Sequence, residues 1–265
     1  MNLWPFSNRH VHSTPRQTAR WRESLVLVGI WMVSVLIRSD YAWAAEAVWN
    51  FDFDDGVQED WKLIGNVEVV PGVVGNAVRV GEGALRKTSE NFLPIQAGAV
   101  SLWIRPVNWD GTEPRVTIFL EMTKGERRYE RSFIWFYRPD DTSRRGISFM
   151  INQAGMAGKT GWTGISLPYS RFKSWKRGEW HHLLVTWHRD EGTYFYMDSQ
   201  MVAFYGCQHA LRAPDHLYVG SRQFVKDNGP LTDVDEVRMY DELLSQQEIR
   251  NIFLQGIERD FNDVD

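Results

Sequence analysis

Hydrophobic and polar residues alternate in many short runs along most of this chain. In the run 99–106, for example, Val100, Leu102 and Ile104 fall on one side of an extended strand. Glycine, proline, asparagine and aspartate separate the runs, and helical runs do not alternate with them. The pattern predicts an all-β fold, a two-sheet antiparallel jelly-roll sandwich. The predicted strands are 47–53, 67–70, 76–80, 99–106, 115–122, 131–137, 146–151, 164–167, 180–188, 192–198, 201–204, 216–219 and 233–240.

The run 180–188 is apolar on parts of both faces, which predicts a strand at the centre of its sheet. It also carries three histidines, His181, His182 and His188. A zinc site would need a further ligand that the local sequence does not provide. We therefore expect these side chains in strand packing or in a groove.

One short helix is predicted after the last strand. Ser245 and Glu248 have the spacing of a capping box, and Leu244 and Ile249 stand at the positions of a hydrophobic staple. An apolar stripe on this helix is expected to pack on the sandwich. Gly256 is expected to end the helix.

The first 44 residues have the order of a secretory signal peptide. Four arginines precede an apolar run at 24–37, and Ala42-Trp43-Ala44 follows as a small-x-small cleavage signal. The apolar run is shorter than the ~20 residues that a membrane-spanning helix needs. We expect cleavage after Ala44, a secreted or periplasmic location and no membrane insertion afterwards, with an uncleaved amino-terminal anchor as the alternative. The predicted division is 1–44 signal peptide, 45–257 folded domain and 258–265 a loosely held acidic tail.

Charge and cysteine content narrow the function classes for the mature chain. Without residues 1–44 it has 25 basic and 32 acidic residues, a net charge of −7. An acidic surface argues against nucleic acid or an anionic membrane as partner. Cys207 is the single cysteine, so an exported chain would have no internal disulfide and must be held by its core or by a metal.

The ordered set of runs resembles the laminin-G-like, concanavalin A-like lectin/glucanase family. The resemblance begins with WNFDFDDG at 49–56 and ends with TDVDEVRMY at 232–240, followed by LLSQQEI at 243–249. Between them, VSLWIRP at 100–106, WHHLLVTW at 180–187, GTYFYMDS at 192–199 and LYVG at 217–220 resemble the family's strands in order and spacing. Ser199 stands where the family usually has a turn glycine. The resemblance implies a jelly roll over about residues 49–255 and leaves the ligand open.

A calcium site is the main metal hypothesis. If Val237 and Met239 point to the core, strict alternation places Asp235 inward as well, and an inward carboxylate must be paired, hydrogen-bonded or metal-bound. Oxygen ligands suit Ca²⁺, and the resemblance implies a Ca²⁺ that ties the two ends of the domain together. The predicted ligands are Asp52, Asp54 and Asp235, with a structural rather than a catalytic role. The alternative is that Asp235 accepts backbone hydrogen bonds at a strand end.

Three loop tryptophans, Trp109, Trp162 and Trp175, are the candidate ligand-binding residues. Each ring has polar neighbours, and a flat ring beside amides or carboxylates suits a sugar. The alternative is that the rings cover sheet edges or the ends of the sandwich. An arginine-rich stretch indicates either recognition of an acidic polysaccharide or a solvated, ion-paired rim. Its members are Arg127, Arg128, Arg131, Arg138, Arg144 and Arg145.

No catalytic residue is predicted. Glycoside hydrolysis needs two flanking carboxyl groups, and the E-x-D-x-x-E pattern that supplies them in jelly-roll hydrolases does not occur. We expect a non-catalytic recognition domain that binds carbohydrate, with a structural calcium. A protein-binding adhesion or assembly module of the cell envelope is the first alternative, and a polysaccharide-degrading enzyme is the second.

Overall fold

The computed structural model describes residues 45–88, 96–113, 116–125, 131–138, 146–152, 162–206, 213–220 and 229–260. The chain divides into two units, Met1–Ser39 and Asp40–Asp265, and all described residues lie in the second. The predicted signal peptide, 1–44, and residues 261–265 of the predicted tail lie outside the described residues. Among the described residues, no helix has both the length and the apolar character that crossing a membrane requires.

The described chain forms short strands with a helix at the end, as the alternation predicts. The strands are β1 Trp49–Phe51, β2 Lys62–Gly65, β3 Glu68–Pro71, β4 Asn76–Val80, β5 Gly83–Thr88, β6 Ala97–Pro106, β7 Thr117–Thr123, β8 Arg131–Arg138, β9 Gly146–Asn152, β10 Trp162–Pro168, β11 His181–His188, β12 Gly192–Met197, β13 Gln200–Tyr205, β14 His216–Gly220 and β15 Thr232–Tyr240. The helices are α1 Tyr169–Phe172 and α2 Gln246–Asp260.

The strands form two antiparallel sheets. Sheet A has the order β13–β12–β11–β6–β15–β4–β3, and β1 pairs with β15 as an eighth strand. Sheet B has the order β10–β9–β8–β7–β14–β5–β2. Because β6 occupies one side of β15, β1 lies on the other side and continues the line of β4. The predicted all-β, two-sheet antiparallel sandwich is confirmed.

The core lies between the sheets and is rich in aromatic rings. Trp135 of β8 meets Phe195 of β12 across the interface, with ring centroids 5.6 Å apart. Phe149 of β9 stacks on Trp187 of β11 at 6.2 Å. Strand β11 lies between β12 and β6, so its predicted central position is confirmed.

Helix α2 covers part of the outer face of sheet A, the face turned away from sheet B. Its start has the predicted capping box, because the N–H of Ser245 donates to the Glu248 carboxylate at 2.7 Å and the N–H of Glu248 donates to Ser245 Oγ at 3.3 Å. Phe253 stacks on Trp103 of β6 with centroids 5.5 Å apart. Ile249 packs with Tyr240 and other apolar residues of the sheet.

The expectation that Gly256 ends this helix is wrong, because the helix continues to Asp260. A Cβ built on Gly256 would lie 2.7 Å from atoms of the Trp103 ring. The glycine is needed for the close approach of the helix to the sheet, and not for a left-handed cap.

Strand β15 contains a β-bulge that changes which residues face the core. Its register against β6 shifts after Asp235, and Glu236 has a φ of +49°. Val234 before the bulge and Val237 after it both belong to the core. Asp235 therefore lies on the outer face of sheet A, opposite Trp103. The expectation that it points inward with Val237 is wrong, because the extra residue interrupts strict alternation.

Two strands escape the pattern analysis. Strand β2 lies at the edge of sheet B and is mostly exposed, so it has little apolar signal. Strand β5 is mostly buried, but Gly83, Ala84 and Lys87 are residue types depleted in strands.

The hairpin between β12 and β13 turns at Asp198 and Ser199, whose φ values are +49° and +64°. Both are left-handed, as in a type I′ turn, so Ser199 takes the turn-glycine conformation without being glycine.

Candidate functional site

Asp235 holds the loop that joins β3 to β4, which we call the 72–75 loop after its residues. Its Oδ2 accepts hydrogen bonds from the N–H groups of Val73 at 2.9 Å and Val74 at 3.2 Å. Its Oδ1 accepts one from the N–H of Glu236 at 2.7 Å. A Cβ on Gly72 would lie 2.4 Å from Oδ2, so the loop needs a glycine there to approach the carboxylate.

Asp54 holds the other end of the same loop. Its Oδ1 accepts a hydrogen bond from the N–H of Asn76 at 3.0 Å, and the Asn76 side chain donates to the Asp54 carbonyl at 2.8 Å. A Cβ on Gly75, which has a φ of +50°, would lie 2.0 Å from this carboxylate. Carboxylates from the first and the last strand regions therefore converge on one loop.

Asp52 remains in its own turn. It accepts hydrogen bonds from the N–H of Asp54 at 3.3 Å and from the Asn50 side chain at 3.2 Å. Among the described residues, no group of three or more His, Cys, Asp or Glu side chains could hold a metal ion. Two of the three predicted ligands thus share a loop, and the third reaches it through the backbone of Asp54.

Burial dominates the electrostatics of Asp235, whose side chain is fully buried. Desolvation, aided by the nearby charge of Glu236, raises the pKa of Asp235 to about 8, although three backbone N–H bonds favour the ionised form. A cation bound beside Asp235 would stabilise the ionised form of the carboxylate, because it would compensate for the hydration that the group loses on burial. The donor set fits Ca²⁺ in chemical type, since Asp235 and Asp54 are hard oxygen ligands beside a glycine-bearing loop.

Trp109 is a core residue. Its ring is fully buried, stacks on Phe119 with centroids 5.9 Å apart, and donates its indole N–H to Thr232 Oγ1 at 2.8 Å. With both faces covered and the polar atom bonded, the ring offers no surface to a sugar. The prediction that Trp109 stacks on a ligand is therefore corrected, because the ring closes the end of the sandwich.

Trp175 is also covered. It is 7% exposed, and its ring stacks on that of His181 with centroids 3.8 Å apart and planes 3° apart. Phe172 of α1 meets it edge-on at 5.8 Å. His181 in turn contacts Asp198 at 3.4 Å. The stacking face predicted for a sugar is occupied by a histidine, so Trp175 is also corrected to a packing residue.

Trp162 is the first residue of β10, and its backbone pairs with Asn152 of β9. Its side chain lies outside the described residues, so its predicted role stays a prediction. The same holds for the arginine-rich stretch, whose side chains are likewise not described.

A polar row that pattern analysis missed crosses the outer face of sheet B, the face turned away from sheet A. The outer row consists of Lys62, Arg86, Tyr218 and Glu121, which are successive register partners on β2, β5, β14 and β7. Their chain neighbours Leu85, Val219 and Leu120 lie in the core, so alternation directs the row outward. Lys62 is exposed, Arg86 is half-buried, and Tyr218 and Glu121 are buried.

His216 extends the outer row by one position along β14. Its Nδ1 and Thr88 Oγ1 are 3.0 Å apart, and its Nε2 lies 3.6 Å from the carboxylate of Asp215. The ring contacts that of Tyr218, with centroids 6.4 Å apart. One part of sheet B thus presents donors, acceptors and aromatic edges together.

One signal for this row is present in the sequence. Glu121 is a single carboxylate within the otherwise apolar strand β7, TIFLEMT. A charged residue in such a strand is expected to have a polar partner or a role in binding, because burying an unpaired charge is costly. The other members lie far apart in the chain, and two of them belong to the strands that pattern analysis missed.

Comparison with known proteins identifies relatives of this architecture. The family described as the concanavalin A-like lectin/glucanases superfamily, Laminin_G_3, matches residues 80–250. No curated protein matches the chain significantly.

Solved structures with the same fold include receptor-binding domains of botulinum neurotoxins. The ligand-binding domain of serotype D in complex with N-acetylneuraminic acid has a TM-score of 0.62 and 9% identity, covering 79% of this chain and 50% of that one. The serotype G binding domain has a TM-score of 0.62 and 8% identity, covering 79% and 51%. The receptor-binding domain of the C/D mosaic has a TM-score of 0.59 and 10% identity, covering 74% and 45%. The chain spans about half the length of these neighbours, and at such identities the likeness concerns the fold alone.

Proposed function

This chain belongs to the concanavalin A-like lectin/glucanase superfamily, and we propose that it is an exported, non-catalytic recognition domain that binds carbohydrate. Its lectin-like sandwich is a common scaffold for recognition, but the fold does not imply a ligand. The proposal therefore depends on a site. The observation that carries it is the outer row of sheet B.

The outer row has the chemistry that sugar recognition uses. Arg86 and Lys62 are donors for ring and hydroxyl oxygens. The carboxylate of Glu121 and the ring of Tyr218 are buried behind them in the same row. Lys62 is exposed and Arg86 half-buried, so the β2–β5 end of the row is the part that a ligand can reach. A few polar groups placed on a rigid sheet are typical of a small-ligand site.

The same row supports the non-catalytic part of the proposal. Hydrolysis of a glycosidic bond needs two carboxyl groups, about 5–5.5 Å apart for retention or about 6.5–9.5 Å apart for inversion. Of the four members of the outer row, Glu121 alone is a carboxylate. Binding without cleavage therefore fits this row better than hydrolysis.

Export and calcium complete the proposal. Export is supported by the basic, apolar and small-x-small order of residues 1–44, and a mature amino terminus at Ala45 would test it. A structural calcium is supported by the convergence of Asp54 and Asp235 on the 72–75 loop. When bound there, calcium would tie the first and last strand regions to this loop.

The test of function is a glycan array probed with the intact chain, in calcium and in chelator. We expect at least one glycan class to bind, and the double variant Lys62→Gln/Arg86→Gln to weaken binding about tenfold or more, because charge-assisted hydrogen bonds are lost. Trp162→Ala tests the remaining tryptophan prediction in the same assay. Arg171→Gln, an exposed charge on α1, is the matched control and should bind as the unmodified chain does. A blank array in both buffers would contradict the proposal.

One observation favours a second candidate, a protein-binding adhesion or assembly module of the cell envelope. Strand β13 lies at an edge of sheet A and exposes Met201, Phe204 and Tyr205 by 55%, 52% and 45%. Edge strands with exposed apolar side chains can pair with another chain. A blank array together with concentration-dependent association, abolished by Phe204→Lys, would favour this candidate.

A further inference from the structure

Strand β13 differs from the other strands that stand first or last in the order of their sheets. At the other end of sheet A, β3 has Glu68 and ends at Pro71. In sheet B, β2 begins with Lys62, and β10 ends at Pro168. Charged residues and proline at a sheet edge oppose pairing with another chain. The sequence of β13, QMVAFY, has neither, so its edge lacks this protection.

A β-bulge directs two large apolar side chains of β13 to the outer face of sheet A. Val202 is the extra residue of the bulge and packs against the core. Met201 pairs with Tyr196, which belongs to the apolar cluster beneath α2. Phe204 pairs with Tyr194 beside the same cluster, with ring centroids 4.6 Å apart. More than half of the surface of Met201 and of Phe204 remains exposed.

The free side of β13 also has backbone groups to offer. The carbonyl of Tyr205 is directed towards β12, because a Cβ on Gly192 would lie 2.3 Å from its oxygen. Backbone groups alternate in direction along a strand, so the N–H and C=O of Phe204 point away from β12. None of the described strands pairs with that side. A strand from another chain can therefore extend the ladder.

The strand is complementary to a second copy of itself. Two antiparallel strands of six residues overlap fully when a two-fold axis passes between Val202 and Ala203. Met201 of each copy then lies opposite Phe204 of the other copy. Cross-strand apolar pairs stabilise a sheet, and a thioether beside an aromatic ring is a favourable contact. Because the strand has no charged residue, this overlap sets no like charges against each other.

We propose that two copies of this chain pair through β13 and continue sheet A across a two-fold axis. In an antiparallel pair this axis is perpendicular to the sheet, so the outer faces of sheet B in both copies point in the same direction. The pairing goes beyond the proposed function and does not depend on it. Where carbohydrate is bound, one dimer presents two outer rows to one glycan-bearing surface, which raises avidity by about 10²–10⁴-fold.

Analytical ultracentrifugation of the intact chain, from about 1 μM to about 100 μM, tests the pairing. We expect a monomer–dimer equilibrium that stops at the dimer, because a two-fold interface is closed. Met201→Lys and Phe204→Lys should each weaken dimerisation about tenfold or more, because each change occurs twice in the dimer and sets a charge against an apolar side chain. Both positions are exposed, so thermal melts should match that of the unmodified protein.

A mixture of two variants tests the register. In a dimer of Met201→Lys with Phe204→Glu, one pair across the axis becomes an ion pair and the other pair stays native. Mixing the two variants should therefore restore dimers that neither forms alone, which a loss of folding would not do. The matched control is Val69→Lys, at an exposed position of β3 at the other end of sheet A, and it should dimerise as the unmodified chain does.

Three results overturn the pairing: a monomer at every concentration, association that both lysine variants retain, or association lost in Val69→Lys. The last result would indicate head-to-tail contact between β3 and β13. The array of the previous section separates this proposal from the proposed function. A monomer with a positive array overturns the pairing and leaves carbohydrate binding standing, whereas a dimer with a blank array supports the pairing and overturns carbohydrate binding.

Discussion

At the scale of single residues, His182 is a buried polar side chain beneath α2. It is fully buried, shares a hydrogen bond of 2.8 Å between its Nε2 and Ser101 Oγ, and lies near the rings of Trp103 and Phe253. Its Nδ1 is buried and has no hydrogen-bond partner among the described residues. Burial lowers the pKa of His182 to about 3, because the loss of hydration outweighs the attraction of Asp198, which acts to raise this pKa.

The pKa of His182 predicts acid sensitivity. An unfolded histidine has a pKa of about 6.5, so between pH 6.5 and 3 the unfolded state binds a proton that the folded state does not. The contribution of His182 to stability therefore falls as the pH falls through this window, by about 1.4 kcal/mol per unit below pH 6. We expect His182→Leu to destabilise the protein at pH 7, by leaving Ser101 without its partner, and the difference from the unmodified protein to shrink towards pH 4.

Urea unfolding at several pH values measures this difference. Leu184→Ala is the control, because it truncates a buried side chain on the same face of β11 and adds no titrating group. Its destabilisation should not depend on pH. A His182→Leu difference that is equally constant would show that the histidine does not cause the acid sensitivity.

At the scale of elements, the contact between α2 and sheet A depends on Gly256. In an ordinary helix Gly→Ala is stabilising by up to about 1 kcal/mol. Here the new methyl group would lie 2.7 Å from the Trp103 ring. We expect Gly256→Ala to destabilise the protein by about 1–3 kcal/mol, because overpacking pushes the helix from the sheet.

Thermal melts test this sign reversal, with a drop of about 2–4 °C for each kcal/mol in a domain of this size. Arg250→Ala, at an exposed position of the same helix, should be nearly neutral. A stabilised Gly256→Ala protein would mean that the helix does not approach the sheet so closely.

Sequence reasoning succeeds for elements whose pattern is local. The alternation in β6 and β11 predicted their faces, and the capping box at Ser245 predicted the start of α2. It fails where a contact made far away in the chain decides the outcome. The bulge at Glu236 shifts the phase of β15, and the ring of Trp103 explains why the helix does not stop at Gly256.

The candidate sites show the same limit. Trp109 and Trp175 look like loop residues in sequence. The indole N–H of Trp109 is bonded by Thr232 from a distant part of the chain, and one face of Trp175 is covered by His181 of the strand that follows it. Asp54 and Asp235 were predicted together because the resemblance placed the first and last strands side by side. The outer row could not be predicted, because Lys62 and Tyr218 are brought to either side of Arg86 only by the strand register of sheet B.

At the scale of the whole molecule, the two ends of the domain meet at one place. Strand β1 pairs with β15, and carboxylates from both regions hold the 72–75 loop. Asp235 is buried with its pKa raised by desolvation, so the closure of the domain contains a carboxylate that a cation would stabilise. With its single cysteine, the chain can form no internal disulfide that would add to this closure.

The proposed calcium should therefore act on global stability. A ligand of the folded state at one hundred times its dissociation constant adds about 2.7 kcal/mol, which corresponds to a rise in Tm of roughly 5–11 °C. We expect this rise for the unmodified protein in calcium relative to chelator, and its loss in Asp235→Asn, which keeps the shape of the side chain but not its charge. Asp190→Asn, in the exposed turn between β11 and β12, should keep the full rise. Identical melts of the unmodified protein in calcium and chelator would rule the site out, and a rise that persists in Asp235→Asn would move the metal elsewhere.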